Sequence, residues 1–328
     1  MRAAHSSEKL VSIGWALALA ALVACSRDEA PGNAKAPADR PSILLVTLDT
    51  TRADAVGDAS HRVETPNLDA LAARGLRFDQ AYTVAPQTLT AHTSMLTGLY
   101  PSEHGVRENG RYLAADRPLL PELLAAAGYR TAAFVSGFPL TRAFGLARGF
   151  AVYDDDLGPR GIERPAPATT DRALAYLKTS GEGPLFLWVH YYDAHDPYEP
   201  PEPFRSRYRA DPYLGEIAAV DQQLGRLLAG FRARVGRGPW QAIVVGDHGE
   251  GRGDHGEQFH GHLLYQGAMR VPLAIAGSGI SPGVREEPVS TRRVYDTVLA
   301  WAGRKAPWSL LDARPEVVLG EAMMPFVD

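Results

Sequence analysis

The 328-residue chain has a single cysteine, Cys25. No disulfide can close within one molecule, and no set of thiolates is at hand to hold a metal ion. A basic excess is also missing: 34 lysines and arginines against 38 aspartates and glutamates give a net charge of -4, which argues against a general nucleic-acid binder. Internal repeats and heptads are absent. Long apolar runs are scarce. The one at the start, Leu10 to Ala24, is broken only by Ser12 and Gly14. At about fifteen residues it falls short of the roughly twenty that a spanning helix needs. Scattered charge at Arg2 and Lys9 precedes it and the polar stretch SRDEAPGNAKAPADRPS follows. That order predicts a removable export signal over residues 1–24 and a flexible tether over 25–41. The roughly 290 residues left over are enough for one large domain with a solid core.

What remains alternates strands and helices, which predicts an α/β sheet. SILLVTLD reads as a buried strand with Asp49 at its carboxyl end. TPNLDALAARG reads as a helix with Thr65 as N-cap, Pro66 at the first helical position and Gly75 as stop. LPELLAAAG and YRTAAFVSG follow as a pair, then a helix after Thr169 and Thr170, then the strand LFLWVHYY. YLGEIAAVDQQLGRLLAGF has helical apolar spacing, and WQAIVVGDHG and RVPLAIAG read as two more strands. Three strands thus end in polar groups: Asp49, the segment His190 to Asp196, and Asp247-His248. Ligands of open α/β sheets gather at strand carboxyl ends, so these groups are expected to converge.

From about Ser42 to Arg293 the motifs come in a fixed order. They are LLVTLDTTRAD, TPNLDALAARGLRFDQAY, PQTLTAHTSMLTG, GLYPSEHGVRENG, WVHYYDAHDPYEPP, EIAAVDQQLGRLL, VVGDHGEGRGDHGE and HGHLLYQGAMRVPL. Together they resemble the sulfatase branch of the alkaline phosphatase superfamily. The resemblance implies an alkaline-phosphatase-like α/β sandwich, a central, mostly parallel mixed sheet flanked by helices, spanning 42–280. Residues 281–328 would form an abbreviated C-terminal subdomain. It also implies an ester hydrolase that holds an anionic ester substrate against a divalent metal ion. Such esters hydrolyse so slowly that a lone base, worth roughly 10²–10⁴-fold, cannot suffice.

Asp49, Asp247 and His248 match the family's metal ligands, and the Thr88 hydroxyl joins them. These donors suit Mn, Zn, Ca or Mg. Thr50 stands where many sulfatases have a further ligand aspartate, which weakens a calcium-like site, whereas a neutral histidine suits Mn or Zn. The chain has no Asp-x-x-x-His, the pattern that opens the second site of two-zinc phosphodiesterases in the superfamily, so one ion is expected. His190, Asp193, His195, His260 and His262 keep a two-metal arrangement open.

Thr88 occupies the place of the sulfatase cysteine that is oxidised to an aldehyde. Sulfatase chemistry needs an aldehyde hydrate with two hydroxyls, and threonine has one. A hydroxyl beside a divalent cation loses its proton more easily and becomes a nucleophile. Other branches of the superfamily form a phospho-enzyme in this way. The segment Thr90 to Leu96 can begin a helix just after Thr88 and aim backbone N–H groups at the ester oxygens. Water or an acceptor alcohol can clear a threonyl phosphate. Phosphoester or phosphonoester hydrolysis is therefore favoured. A sulfatase without formylglycine, a phospho-group transferase and a non-catalytic surface binding lipoprotein stay open.

His92 replaces the family arginine, exchanging a fixed charge for a titratable group. It is expected either at the substrate or packed on the helix. Asn109, 21 residues past Thr88, lies where relatives place a substrate-oxygen donor, and within RENG it is equally a turn former. His195 resembles the histidine that contacts the transferred group or protonates the leaving oxygen. His260 takes the region of a family lysine and competes there with His262. Arg52 and Asp54 read as a supporting ion pair, while His104, Arg107 and His255 flank the site in sequence. LVAC resembles the lipobox of bacterial lipoproteins, which makes Cys25 the lipid-bearing residue, with Ser26 suiting the outer membrane. An ordinary secretory signal ending near Ala24 is the alternative. Membrane contact is expected only through that anchor.

Overall fold

The computed structural model describes residues 40–57, 62–158 and 161–323. The signal segment and nearly all of the tether lie outside them. Among the described residues no helix is long and apolar enough to cross a membrane.

The strands are β1 (Ser42–Leu48), β2 (Leu76–Phe78), β3 (Ala81–Tyr82), β4 (Arg130–Phe134), β5 (Val152–Asp154), β6 (Leu185–Tyr191), β7 (Trp240–Gly246), β8 (Arg270–Val271), β9 (Leu273–Gly277), β10 (Gly283–Arg285) and β11 (Val289–Ser290). An eight-stranded sheet runs β10-β2-β9-β7-β1-β6-β4-β5, and a three-stranded one runs β11-β3-β8. From β7 to β5 every pairing is parallel. Only β9 runs against its neighbours, β7 and β2. The sheet is thus mixed and mostly parallel.

The main helices are α1 (Pro66–Ala73), α2 (Thr88–Thr97), α3 (Leu120–Ala126), α4 (Ala166–Thr179), α5 (Pro212–Val235) and α6 (Val294–Trp301). They cover both sheet faces because the buried strands carry apolar residues on both faces, as parallel strands do. In β1, Ile43 and Leu45 pack towards Leu89, Leu120 and Val298, while Leu44, Val46 and Leu48 pack towards Leu68, Leu224 and Leu227.

Several local expectations shift. RVPLAIAG is not one strand: Pro272 has no N–H for the ladder, and the chain passes there from the small sheet to the large one. Thr65 sits at the N-cap of α1 without capping it. The Asp221 carboxylate from α5 accepts the Asn67 and Leu68 N–H groups at 3.0 and 2.8 Å instead. The helix expected after Thr170 begins earlier, at Ala166, whose N–H the Asp193 carboxylate accepts at 2.9 Å. After residue 281 the chain returns to the body, where β10 pairs with β2 and β11 with β3.

Candidate metal-dependent active site

Asp49 follows β1 directly, and Asp247 and His248 follow β7. Adjacent parallel strands in register place them side by side: the Asp49 N–H bonds to the Tyr191 carbonyl and the Asp247 N–H to the Leu48 carbonyl. Thr88 comes from the other direction, as the first residue of α2 rather than the residue before it. Its hydroxyl lies 3.4 Å from Asp49 Oδ2 and 3.3 Å from His248 Nε2. Asp49, Asp247 and His248 are fully buried, and Thr88 is 1% exposed.

The hydrogen bonds decide what this cluster lacks. His248 Nδ1 sits 2.9 Å from the Gly249 carbonyl, which can only accept, so this nitrogen carries the proton. Nε2 of the neutral ring therefore points a lone pair at the carboxylates, 3.6 Å from both Asp49 Oδ1 and Asp247 Oδ2. Those two oxygens are buried and have no hydrogen-bond partner. Burial and the nearby His260 ring push His248 down to about 3, which keeps it neutral. Burial and then the Asp49 charge push Asp247 well above the usual carboxylate range. For Asp49 burial works in the same direction, but the hydrogen bond from His190 opposes it and the group is held low. Two buried carboxylates and an imidazole lone pair facing one another fit a cation. Asp49, Asp247 and His248 offer ligand atoms all within 4.8 Å of one another.

Neighbouring groups fix these donors. His190 accepts from the Ser136 N–H at 3.5 Å through Nδ1, so Nε2 donates to Asp49 Oδ2 at 3.2 Å. That bond occupies one carboxylate oxygen and leaves the other to the cluster, a common outer support for a metal ligand. Thr50 turns its hydroxyl to the Ala194 carbonyl at 2.7 Å, away from the cluster. Arg52 forks onto Asp54 at 2.8 Å, reaches Asp254 at 2.7 Å and holds the Glu250 carbonyl at 3.0 Å. This ion pair supports the loop that carries His248.

Residues 41–304 match the sulfatase family model. The chain belongs to the sulfatase family. Its relatives include the arylsulfatase of Clostridium perfringens, 23% identical over 83% of this chain and 76% of the relative. The multifunctional alkaline phosphatase superfamily protein PehA of Trinickia caryophylli is 25% identical over 88% of this chain and 77% of its own. The phosphonate monoester hydrolase of Silicibacter pomeroyi has the same fold, with a TM-score of 0.70 at 22% identity, covering 82% of this chain and 74% of that one. This sulfatase-family chain is therefore an ester-bond hydrolase. Enzymes of the family use a divalent metal, and the ligand groups for one are in place here.

The remaining expected site residues divide. His260 and His195 border the cluster: the His248 and His260 ring centroids are 4.3 Å apart, and those of His260 and His195 5.3 Å. His260 Nδ1 is 3.1 Å from Glu250 Oε1, so Nε2 is the free nitrogen. Burial alone would lower His260, but Glu250 outweighs it and raises it. His195 stacks on Tyr192 at 4.3 Å and donates through Nδ1 to the Asp196 carbonyl.

His92 is not at a substrate surface. Its ring is 1% exposed beneath Thr88, with Nδ1 2.7 Å from the Thr88 carbonyl and Nε2 2.9 Å from the Thr47 hydroxyl. Thr47 already accepts the Trp188 indole N–H at 3.0 Å, so it donates to His92. Burial keeps this ring neutral, well below the usual histidine range. His92, His190 and Asp247 form a second convergent group, but both His92 nitrogens are already engaged, which disfavours a second ion there.

Asn109 uses its side-chain carbonyl to accept the Leu89 N–H at 2.9 Å, capping α2 beside Thr88. Only its amide N–H groups are left for the expected substrate contact. His262 donates its backbone N–H to Glu257 and belongs to neither ligand group. Asp193, a reserve ligand, is spent on α4. His104 is structural, bonded to Ser94 and to the Val106 N–H, and His255 stacks on Tyr265 at 3.6 Å. Arg107 is exposed. Sequence reasoning missed Glu250, fully buried and also bonded to the Tyr198 hydroxyl. Its signal was a carboxylate inside GDHGEG.

Proposed function

We propose that this enzyme hydrolyses phosphate or phosphonate esters through a covalent intermediate on Thr88, with one Mn or Zn ion held by Asp49, Asp247 and His248. The observation that carries the reading is the Thr88 hydroxyl at 3.4 Å from Asp49 and 3.3 Å from His248, on the lone-pair side of that ring. Bound there, a divalent ion supplies positive charge that eases loss of the hydroxyl proton. Thr88 Oγ1 gives up that proton to solvent and attacks phosphorus. The bond to the ester oxygen breaks, and His260 Nε2 protonates the departing alcohol. His195 faces the same space and contacts the transferred group. A water then attacks phosphorus, passes a proton to His260 and frees Thr88. With the Leu89 and Ala91 N–H groups held by Asn109 and by the Gln87 carbonyl, the first-turn N–H groups of Thr88 and Thr90 are left for the anionic oxygens.

Similarity to an arylsulfatase favours a second reading, a sulfate ester. Against it, Thr88 has a single hydroxyl and cannot form an aldehyde hydrate. Transfer to an acceptor alcohol in place of water would use the same residues. We also infer export and lipid anchoring through Cys25 at the periplasmic face of the outer membrane, on the LVAC sequence.

The test is metal analysis of the purified protein with a panel of aryl phosphate monoesters, diesters, phosphonates and sulfates on wild type and Thr88→Ala. Metal-dependent phosphoester turnover that disappears in Thr88→Ala is expected. Sulfate turnover that survives Thr88→Ala would overturn the nucleophile assignment.

A further inference from the structure

Chain segments that reach the buried cluster also carry a surface of opposite character. Tyr112 is 72% exposed, Phe138 51% and Ile162 60%. Single exposed apolar residues are ordinary, but contiguous ones mark binding surfaces. These three are linked through one buried ring and one backbone bond. The Tyr112 and Phe138 rings both pack on buried Phe144, at centroid distances of 5.8 and 5.5 Å, and the Phe138 N–H bonds to the Ile162 carbonyl at 2.8 Å.

Two connections tie this patch to the catalytic centre. Phe138 is two residues beyond Ser136, about 7 Å of chain at most. Ser136 contacts His190, His190 contacts Asp49, and Asp49 contacts Thr88. Gly137, between them, is so close to Tyr192 that a Cβ there would sit 2.5 Å from the ring that stacks on His195. On the other side, Tyr112 is three residues beyond Asn109, about 11 Å of chain at most. Asn109 holds the Leu89 N–H, one residue from the nucleophile.

An ester whose anionic end sits at Thr88 must lay its organic part over the rim. The geometry points to an apolar subsite formed by Tyr112, Phe138 and Ile162, which takes an alkyl or aryl group of the ester. This rests on the proposed function and names its substrate class: esters that carry an apolar alkyl or aryl group beside the reacting centre.

The test measures kcat/KM for p-nitrophenyl alkylphosphonates from methyl to hexyl, with a glycosyl phosphodiester of comparable size alongside. Wild type, Tyr112→Ser and Phe138→Ser are compared, both changes lying on exposed side chains. In wild type kcat/KM is expected to rise about twofold or more per added methylene. The hexyl-to-methyl ratio should fall at least fivefold in each variant. An equal ratio in all three proteins, or a preference for the glycosyl ester, would overturn the subsite. Calorimetry with methanesulfonate and hexanesulfonate on the metal-loaded protein separates this from failure of the proposed function. If no ester turns over but hexanesulfonate binds at least fivefold more tightly than methanesulfonate, and only in wild type, the subsite stands. Equal affinity for the two sulfonates sinks it.

Discussion

His248 Nε2 stands 3.3 Å from the Thr88 hydroxyl as a lone pair, because Nδ1 of the same ring gives its proton to the Gly249 carbonyl. Moving the proton to Nε2 would direct an N–H into the cluster and break the bond to Gly249. The backbone that follows β7 thus selects the tautomer a cation needs.

Metal removal should therefore depend on pH in a set direction. Without an ion, Asp247 is pushed up by burial and by Asp49. A group raised on folding contributes stability that is full below its unfolded value and is lost as pH rises through the folded one. The chelated protein should lose stability from pH 5 to pH 8, while the loaded protein should not, since ligands bind metal best deprotonated. Melting temperatures with and without chelator at the two pH values check this. A gap that narrows towards pH 8 would contradict it.

Much of this site was legible in the sequence because strand ends are. Asp49, His190 and Asp247-His248 each close a run of buried strand residues, and parallel register brings such ends together. His92 was harder to place. Its spacing of four from Thr88 lets the ring return to the Thr88 carbonyl one turn back, but the Thr47 hydroxyl comes from 45 residues away. The caps from Asp221 and Asp193 were not legible either, since those carboxylates come from 153 and 27 residues away. Local capping patterns name the nearest polar side chain, and a distant carboxylate displaced it here.

Replacing His92 tests its role as a buried strut. His92→Ala removes a ring and strips partners from the Thr88 carbonyl and the Thr47 hydroxyl. Cavity and unsatisfied groups together should cost about 3 kcal/mol or more. Turnover should fall as well, because the first turn of α2 is no longer pinned. Urea unfolding and kcat check the two effects. A loss below about 1 kcal/mol, the range of a surface change, would show that the ring carries no such load.

Glu250→Gln separates orientation from charge at His260. The amide oxygen can still accept from Nδ1, so the ring keeps its place, while the carboxylate that raises His260 is gone. If His260 donates the leaving-group proton, activity is lost as pH rises through its titration. The alkaline limb of the kcat profile should then move to lower pH in the variant, most clearly for esters with poor leaving groups. An unmoved limb with lower activity at every pH would assign Glu250 a packing role.

A last prediction lies away from the chemistry, at Glu216 on α5. This side chain is 5% exposed; Oε1 accepts the Glu199 N–H at 2.7 Å, while Oε2 is buried without a hydrogen-bond partner. Burial, reinforced by the charge of Asp193, pushes the carboxyl up to about 9. Folded protein thus keeps a proton that the unfolded chain releases near 4.5. The stability it contributes is full below that value and declines until pH passes about 9. Glutamine mimics the protonated form and has nothing to lose. Glu216→Gln should match wild type within about 1 kcal/mol at pH 5 and exceed it at pH 9. Urea midpoints at the two pH values decide the matter, and parallel pH dependences in the two proteins would mean that Glu216 is already ionised in the fold.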